Sequence, residues 1–170
     1  PKATTIFYAK KIDANTFQFL GEVGGIKEAG YYSLAPEIDS NSNFYFSSDR
    51  IDGKTSKIYR GVFKDGKISD VAMIPVNQKR AWDPATFNGS AMYYTESETL
   101  FDNWNIGFSS GGNVLQNINT DNMEYAPSIA QNQLEIFFSK ADTKSAFGIL
   151  SGIKSKIYMA TREKTSEPFG

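Results

Sequence analysis

Three carboxylates stand beside three prolines: Glu37 just after Pro36, Asp83 just before Pro84, and Glu124 three residues before Pro127. If the prolines mark a repeat, these acids occupy near-equivalent positions, and a symmetric fold can gather them at one mouth. Glycoside hydrolysis needs such a set, two carboxyl groups roughly 5–10 Å apart with one protonated. No acid/base signature accompanies the three here, so turn closure is the preferred role and no catalytic residue is assigned. The chain has no His and no Cys. Ser-His and Cys-His mechanisms within it are thereby excluded, as are zinc–thiolate sites, leaving carboxylates, Lys, Tyr or a hard metal ion. The run Asp49 to Thr55 invites comparison with a calcium loop, but it lacks the alternating oxygen ligands and distal Glu. It reads as a solvated turn, with Lys54 and Lys57 as solvated charges, and no metal ligand or cofactor is expected.

The elements that must position such groups follow from composition. A chain of 170 residues can bury a real core. Its thirteen Phe, nine Tyr and two Trp favour an all-β protein, because flat rings pack well on pleated sheets. The formal charge is -1 and the basic residues are scattered, so no nucleic-acid partner is expected. No apolar run approaches the roughly 20 residues that span a bilayer. The opening Pro1-Lys2-Ala3 leads straight into strand-like sequence, so no signal peptide is expected here, as for a mature secreted chain or a piece excised from a longer one.

Pro36, Pro84 and Pro127 stand 48 and 43 residues apart. Each opens a short apolar segment, then a polar turn, then a strand with paired aromatics: Phe44-Tyr45-Phe46, Met92-Tyr93-Tyr94 and Ile136-Phe137-Phe138. A variable loop follows, then Lys57-Ile58-Tyr59, Asn105-Ile106-Gly107 or Lys156-Ile157-Tyr158. Four landmarks in one order three times over predict β-propeller blades, each a four-stranded antiparallel meander with strands a to d. Strand a is expected to begin at the proline, where a missing N–H is tolerated. Asp65-Gly66 predicts a tight c–d hairpin. Ile6-Phe7-Tyr8 aligns with the strand c landmark, so residues 1–26 read as a half blade (strands c and d). Blades are expected at 31–76 and 79–120, with a third at 122–170 lacking strand d. That makes about three and a half blades of a larger propeller, which needs at least about four to close.

In a propeller, the d–a connections and b–c loops share one face. The candidates for ligand contact there are Tyr31, Tyr32, Arg80, Trp82, Asp83, Glu124 and Tyr125 from the first set, and Trp104 from the second. Aromatic faces stacking on apolar patches, with polar groups orienting the ligand, suit a sugar or a peptide. The alternative is that Glu124 and Asp83 tie down nearby amides while Trp82 and Tyr125 fill gaps between blades.

The string Asn117-Ile118-Asn119-Thr120, Glu124-Tyr125-Ala126-Pro127-Ser128-Ile129 and Leu134-Glu135-Ile136-Phe137-Phe138-Ser139 resembles the TolB-type, WD-like propeller repeat. Ala35-Pro36, Phe44 to Arg50 and Lys57-Ile58-Tyr59 resemble it again. The second repeat departs, with Thr95-Glu96-Ser97-Glu98 in place of Ser-Ser-Asp-Arg, and the third carries an insertion from Lys144 to Lys154. The resemblance implies a periplasmic or secreted bacterial protein. It does not imply one activity, because propellers host binders and enzymes alike. The expectation is a non-catalytic binding or scaffold module for a protein or glycan ligand. The alternative is the propeller part of a glycoside hydrolase or peptidase whose catalytic residues lie partly outside this chain. Aromatics such as Phe44, Tyr93 and Phe137 are expected on outward blade faces, so the fold should be completed by further blades or by self-association.

Overall fold

The computed structural model describes residues 4–76 and 80–170. The expectations about residues 1–3, and about residue 79 as the start of a unit, lie outside them. Among the described residues twelve strands form four antiparallel sheets, each a meander of sequential neighbours. The first sheet pairs β1 (Phe7–Lys11) with β2 (Phe17–Glu22). The second runs β3 (Ser33–Ile38), β4 (Asn43–Ser48), β5 (Lys57–Lys64), β6 (Lys67–Met73). The third is β7 (Arg80–Ala85), β8 (Tyr93–Ser97), β9 (Asn105–Phe108), and the fourth β10 (Met123–Ile129), β11 (Glu135–Ala141), β12 (Ser155–Thr161). The insertion carries one short helix, α1 (Ala146–Leu150), capped by the Ser145 hydroxyl.

The sheets stack in chain order, and strand alternation assigns each side chain to one of three cores. Phe44 and Phe46 of β4 pack with Ile6, Val23 and Ile26 of the first unit. Tyr45, between them in sequence, turns the other way to meet Tyr94 of β8 and Met92 just before that strand. Tyr93 in turn faces Ile136 and Phe138 of β11. Phe44 and Tyr93 are therefore buried between sheets, which corrects their expected exposure; Phe137 alone of the three is exposed. The reason is that stacking gives β4 and β8 a neighbour on both faces.

The three prolines lie inside β3, β7 and β10 rather than at their starts. In each strand the ladder shifts register there, between Leu34 and Glu37, Trp82 and Ala85, and Tyr125 and Ser128. The preceding residue holds a left-handed φ each time: Ala35 49°, Asp83 49° and Ala126 50°. A bulge removes the ladder bond that a proline cannot donate, so the strand continues through it. The expected hairpin is present, with Asp65 and Gly66 both at positive φ between β5 and β6.

One hydrogen bond repeats between sheets. Ala81 N–H donates to Ser56 C=O (3.0 Å), and Glu124 N–H donates to Trp104 C=O (2.9 Å). Donor and acceptor hold the same places in their repeats, three residues before the proline and just before the third strand. At the first joint a side chain takes over, with Ser33 N–H donating to Thr4 Oγ1 at 3.1 Å.

The third sheet has three strands where the repeat predicts four. Residues 109–119 fold as turns, and Asn119 lies at the free edge of β9. The terminal segment docks on those turns: Phe169 N–H donates to Val114 C=O (3.0 Å), and the Phe169 ring is fully buried under the Arg162 guanidinium.

Candidate functional site

Leu34, Trp82 and Tyr125 hold one position in three successive first strands, two residues before the proline. Their cross-strand partners are Ser47, Thr95 and Ser139. This shared register brings Trp82, Trp104 and Tyr125 into one ridge. Trp104 stands in the middle, edge-on to Trp82 at 5.3 Å and to Tyr125 at 5.4 Å between ring centroids. All three rings are half-buried.

The ridge is braced from three directions. The Trp104 indole donates to Leu100 C=O (3.0 Å), and its backbone carbonyl accepts from Glu124 N–H. The loop holding Leu100 is gripped by the insertion: Asn103 N–H donates to Lys144 C=O, Ala146 N–H donates to Phe101 C=O, and the rings of Phe101 and Phe147 meet at 4.9 Å. The Tyr125 hydroxyl is hydrogen-bonded to Ser155 at the head of β12. Held rings lose little conformational freedom when a ligand stacks on them.

The other candidates divide. Asp83 lies beside Trp82 in the bulge and accepts from the Thr95 hydroxyl (3.2 Å). Burial raises its pKa above the usual carboxylate range, opposed by that hydroxyl. Arg80 reaches back to the second sheet, donating to Lys54 C=O (2.5 Å). Tyr31 and Tyr32 precede β3, and Asp49 fixes Tyr32 by accepting its N–H (2.8 Å); no ring contact joins either tyrosine to the ridge among the described residues.

Glu124 is no surface group. It is fully buried, accepts from Thr120 N–H (3.1 Å) and Oγ1 (2.6 Å), and pairs with Lys140 at 3.1 Å. Glu37, Asp83 and Glu124 also occupy three different positions relative to the bulge, so their equivalence fails. The nearly buried positions matching Glu124 are Ser33 and Ala81. Offsets of one to three residues matter in a strand, because each step flips the side chain to the other face.

The segment read as a solvated turn is partly structural. Arg50 sits 4.9 Å from the ring centroids of both Phe46 and Tyr59 and donates to Ile26 C=O (2.8 Å), tying the first sheet to the second. Asp52 accepts from Thr55 and Lys54, and those bonds hold its pKa down to about 2.

Cavities also open among the described residues. A cleft of about 530 Å³ opens between the second and third sheets, with Val62, Met73 and Met92 in its walls. Its polar groups are committed, since the Tyr45 hydroxyl donates to Asp39 (3.1 Å) and Arg60 donates to Asn43 (2.5 Å). A second, of about 380 Å³, lies along β9 and is lined by Tyr94 and Glu96, which are not among the ligand candidates expected from sequence. Among the described residues no group of three or more acidic side chains is placed to hold a metal ion. No helix there is long and apolar enough to cross a membrane.

No protein-family model matches the chain, and no curated protein matches it significantly.

Proposed function

We propose that the chain is a non-catalytic binding module, built of propeller blades, that recognises a glycan through the ridge of Trp82, Trp104 and Tyr125. The carrying observation is the ridge itself: three half-exposed aromatic rings in contact, contributed by two sheets and braced by backbone hydrogen bonds. Aromatic rings stack on the apolar faces of sugars, and neighbouring polar groups orient the hydroxyls. The stacking of sheets in chain order and the repeated joint hydrogen bond support the blade reading. The TolB-like repeat supports a place in the bacterial periplasm or secreted fraction, with further blades or a second copy completing the fold.

Both tryptophans of the chain are in the ridge, so intrinsic fluorescence reports on it directly. A glycan array followed by fluorescence titration of the best hits is the test. Saturable spectral change in the wild type, and at least about tenfold weaker binding by Trp104→Ala, is the expected result. An array without hits, or a hit whose titration leaves tryptophan emission unchanged, overturns the glycan reading; a protein ligand that quenches the same emission replaces it.

The raised pKa of Asp83 beside Trp82 favours one second reading, a general acid in a hydrolase. Hydrolysis of a bound glycan, abolished by Asp83→Ala, would establish it.

A further inference from the structure

The cavity along β9 has an unusual floor. Gly107 lies directly opposite Tyr94 in the ladder. A Cβ on Gly107 would come within 2.4 Å of the Tyr94 ring and 2.5 Å of Glu96 Oε2. The missing side chain is thus what lets the Tyr94 ring and the Glu96 carboxylate lie side by side against the sheet. Asn113, Gln116 and Gly112 form the rim. Glu96 is partly buried and hydrogen-bonded to the Tyr94 hydroxyl. Burial raises its pKa, the tyrosine opposes this, and the like charge of Glu98 adds to it. Among the described residues, no lysine or arginine is one of the groups that set its ionisation.

A carboxylate beside an aromatic ring, at the wall of an open cavity, is a receptor for a cation. The carboxylate accepts charge-assisted hydrogen bonds, while the buried Tyr94 beside it holds the carboxylate in place through its hydroxyl. Ile106, Phe108 and Leu115 border the same cavity at the free edge of β9, and its size admits a short alkyl chain ending in a compact charge.

We propose that the Tyr94–Glu96 pocket binds a primary alkylammonium group, as a free amine or as the end of a lysine side chain of a partner. The site is independent of the aromatic ridge, because Glu96 points to the opposite face of β8 from Thr95, the cross-strand partner of Trp82.

The experiment is an NMR titration of the ¹⁵N-labelled chain with n-butylammonium chloride, n-butanol, and acetyl-Ala-Lys-Ala-amide against its norleucine counterpart. Saturable shifts at the amides of Glu96, Gly107 and Gly112 are expected with the ammonium compounds, at least about tenfold weaker with the neutral ones. Preference for the peptide over butylammonium assigns the site to a partner lysine, and the reverse to a free amine. E96Q should remove the ammonium preference and leave the rest of the spectrum in place. Equal response to butanol and butylammonium, or an ammonium preference that survives E96Q, overturns the proposal. If E96Q does not fold, the wild-type comparison of charged and neutral probes still decides.

Discussion

The side chain of Asn119 pairs with the backbone of Ile106 as a neighbouring strand would, accepting from its N–H at 2.9 Å and donating to its C=O at 2.8 Å. It thereby closes the free edge of β9 where the second sheet has a fourth strand. Ile106 is buried, so its peptide groups cannot turn to water instead. Asn119→Ala should cost about 1–3 kcal/mol, the penalty of stranding a buried polar group. Asn119→Asp should cost at least as much, because a carboxylate cannot donate to the Ile106 carbonyl. Denaturant unfolding of the two variants checks this, and a loss below about 0.5 kcal/mol in both would show the edge bonds to be dispensable.

Glu124 gives a second stability prediction. Its carboxylate is fully buried, with Lys140 and two Thr120 donors around it. Glu124→Ala strands the two Thr120 donors and takes one partner from Lys140, which is partly exposed and still bonded to Thr120, and a loss of about 1–3 kcal/mol is expected. Glu124→Gln keeps an acceptor for Thr120 and should cost less. Glycan binding per folded molecule should be unchanged in Glu124→Gln, which separates this structural carboxylate from the ridge beside it.

The repeat was legible because its landmarks are covalent neighbours: proline, turn, aromatic pair and Ile-Tyr follow one another along the chain. The inward and outward assignment of aromatics was not, because it depends on which sheets stack. Tyr45 and Phe46 are adjacent, yet one faces the third sheet and the other the first. Within the candidate site, Trp82, Trp104 and Tyr125 were readable as aromatics near equivalent landmarks. Glu124 was misplaced for want of its partner, since Lys140 is sixteen residues away in sequence and opposite it in the ladder. Glu96 gave no signal beyond Gly107, whose lack of a side chain acquires meaning only once β8 and β9 are paired.

Asp83 supplies a pH dependence. Its folded pKa is raised by burial, so the native state holds this proton to higher pH than the unfolded chain does. Below the ordinary carboxylate range both states are protonated and the group contributes nothing. As pH rises through the folded pKa, ionisation within the buried bulge erodes stability. Asp83→Asn removes that loss, still accepts from the Thr95 hydroxyl, and tolerates the left-handed φ of 49°. The melting temperature of the variant should match wild type near about pH 3.5 and exceed it at about pH 7. A variant less stable than wild type at neutral pH would show that the charged carboxylate is favourable where it stands.

The two ends of the stack carry the last prediction. The outward face of the first sheet exposes Phe7, Phe17 and Phe19, with Phe7 and Phe19 in ring contact at 5.8 Å. That of the fourth exposes Phe137, Ile157 and Met159, with Phe137 directly opposite Met159. Phe137 holds the position of Tyr45 and Tyr93, each of which is covered by the sheet that follows it. Lys11 shares the first face and Glu135 the last, so the two are complementary in charge as well as apolar. Contiguous apolar faces of this kind do not remain wet in a stable monomer. The isolated chain should therefore associate, first face against last face, with light-scattering mass rising above 18.9 kDa as concentration increases. Phe19→Lys or Ile157→Lys alone should weaken association, since each damages one half of a head-to-tail contact, and mixing the two variants should restore one good contact per pair. A wild-type chain that stays monodisperse at 18.9 kDa across the series would mean that these faces are tolerated in water, and the completing-sheet reading would fall with them.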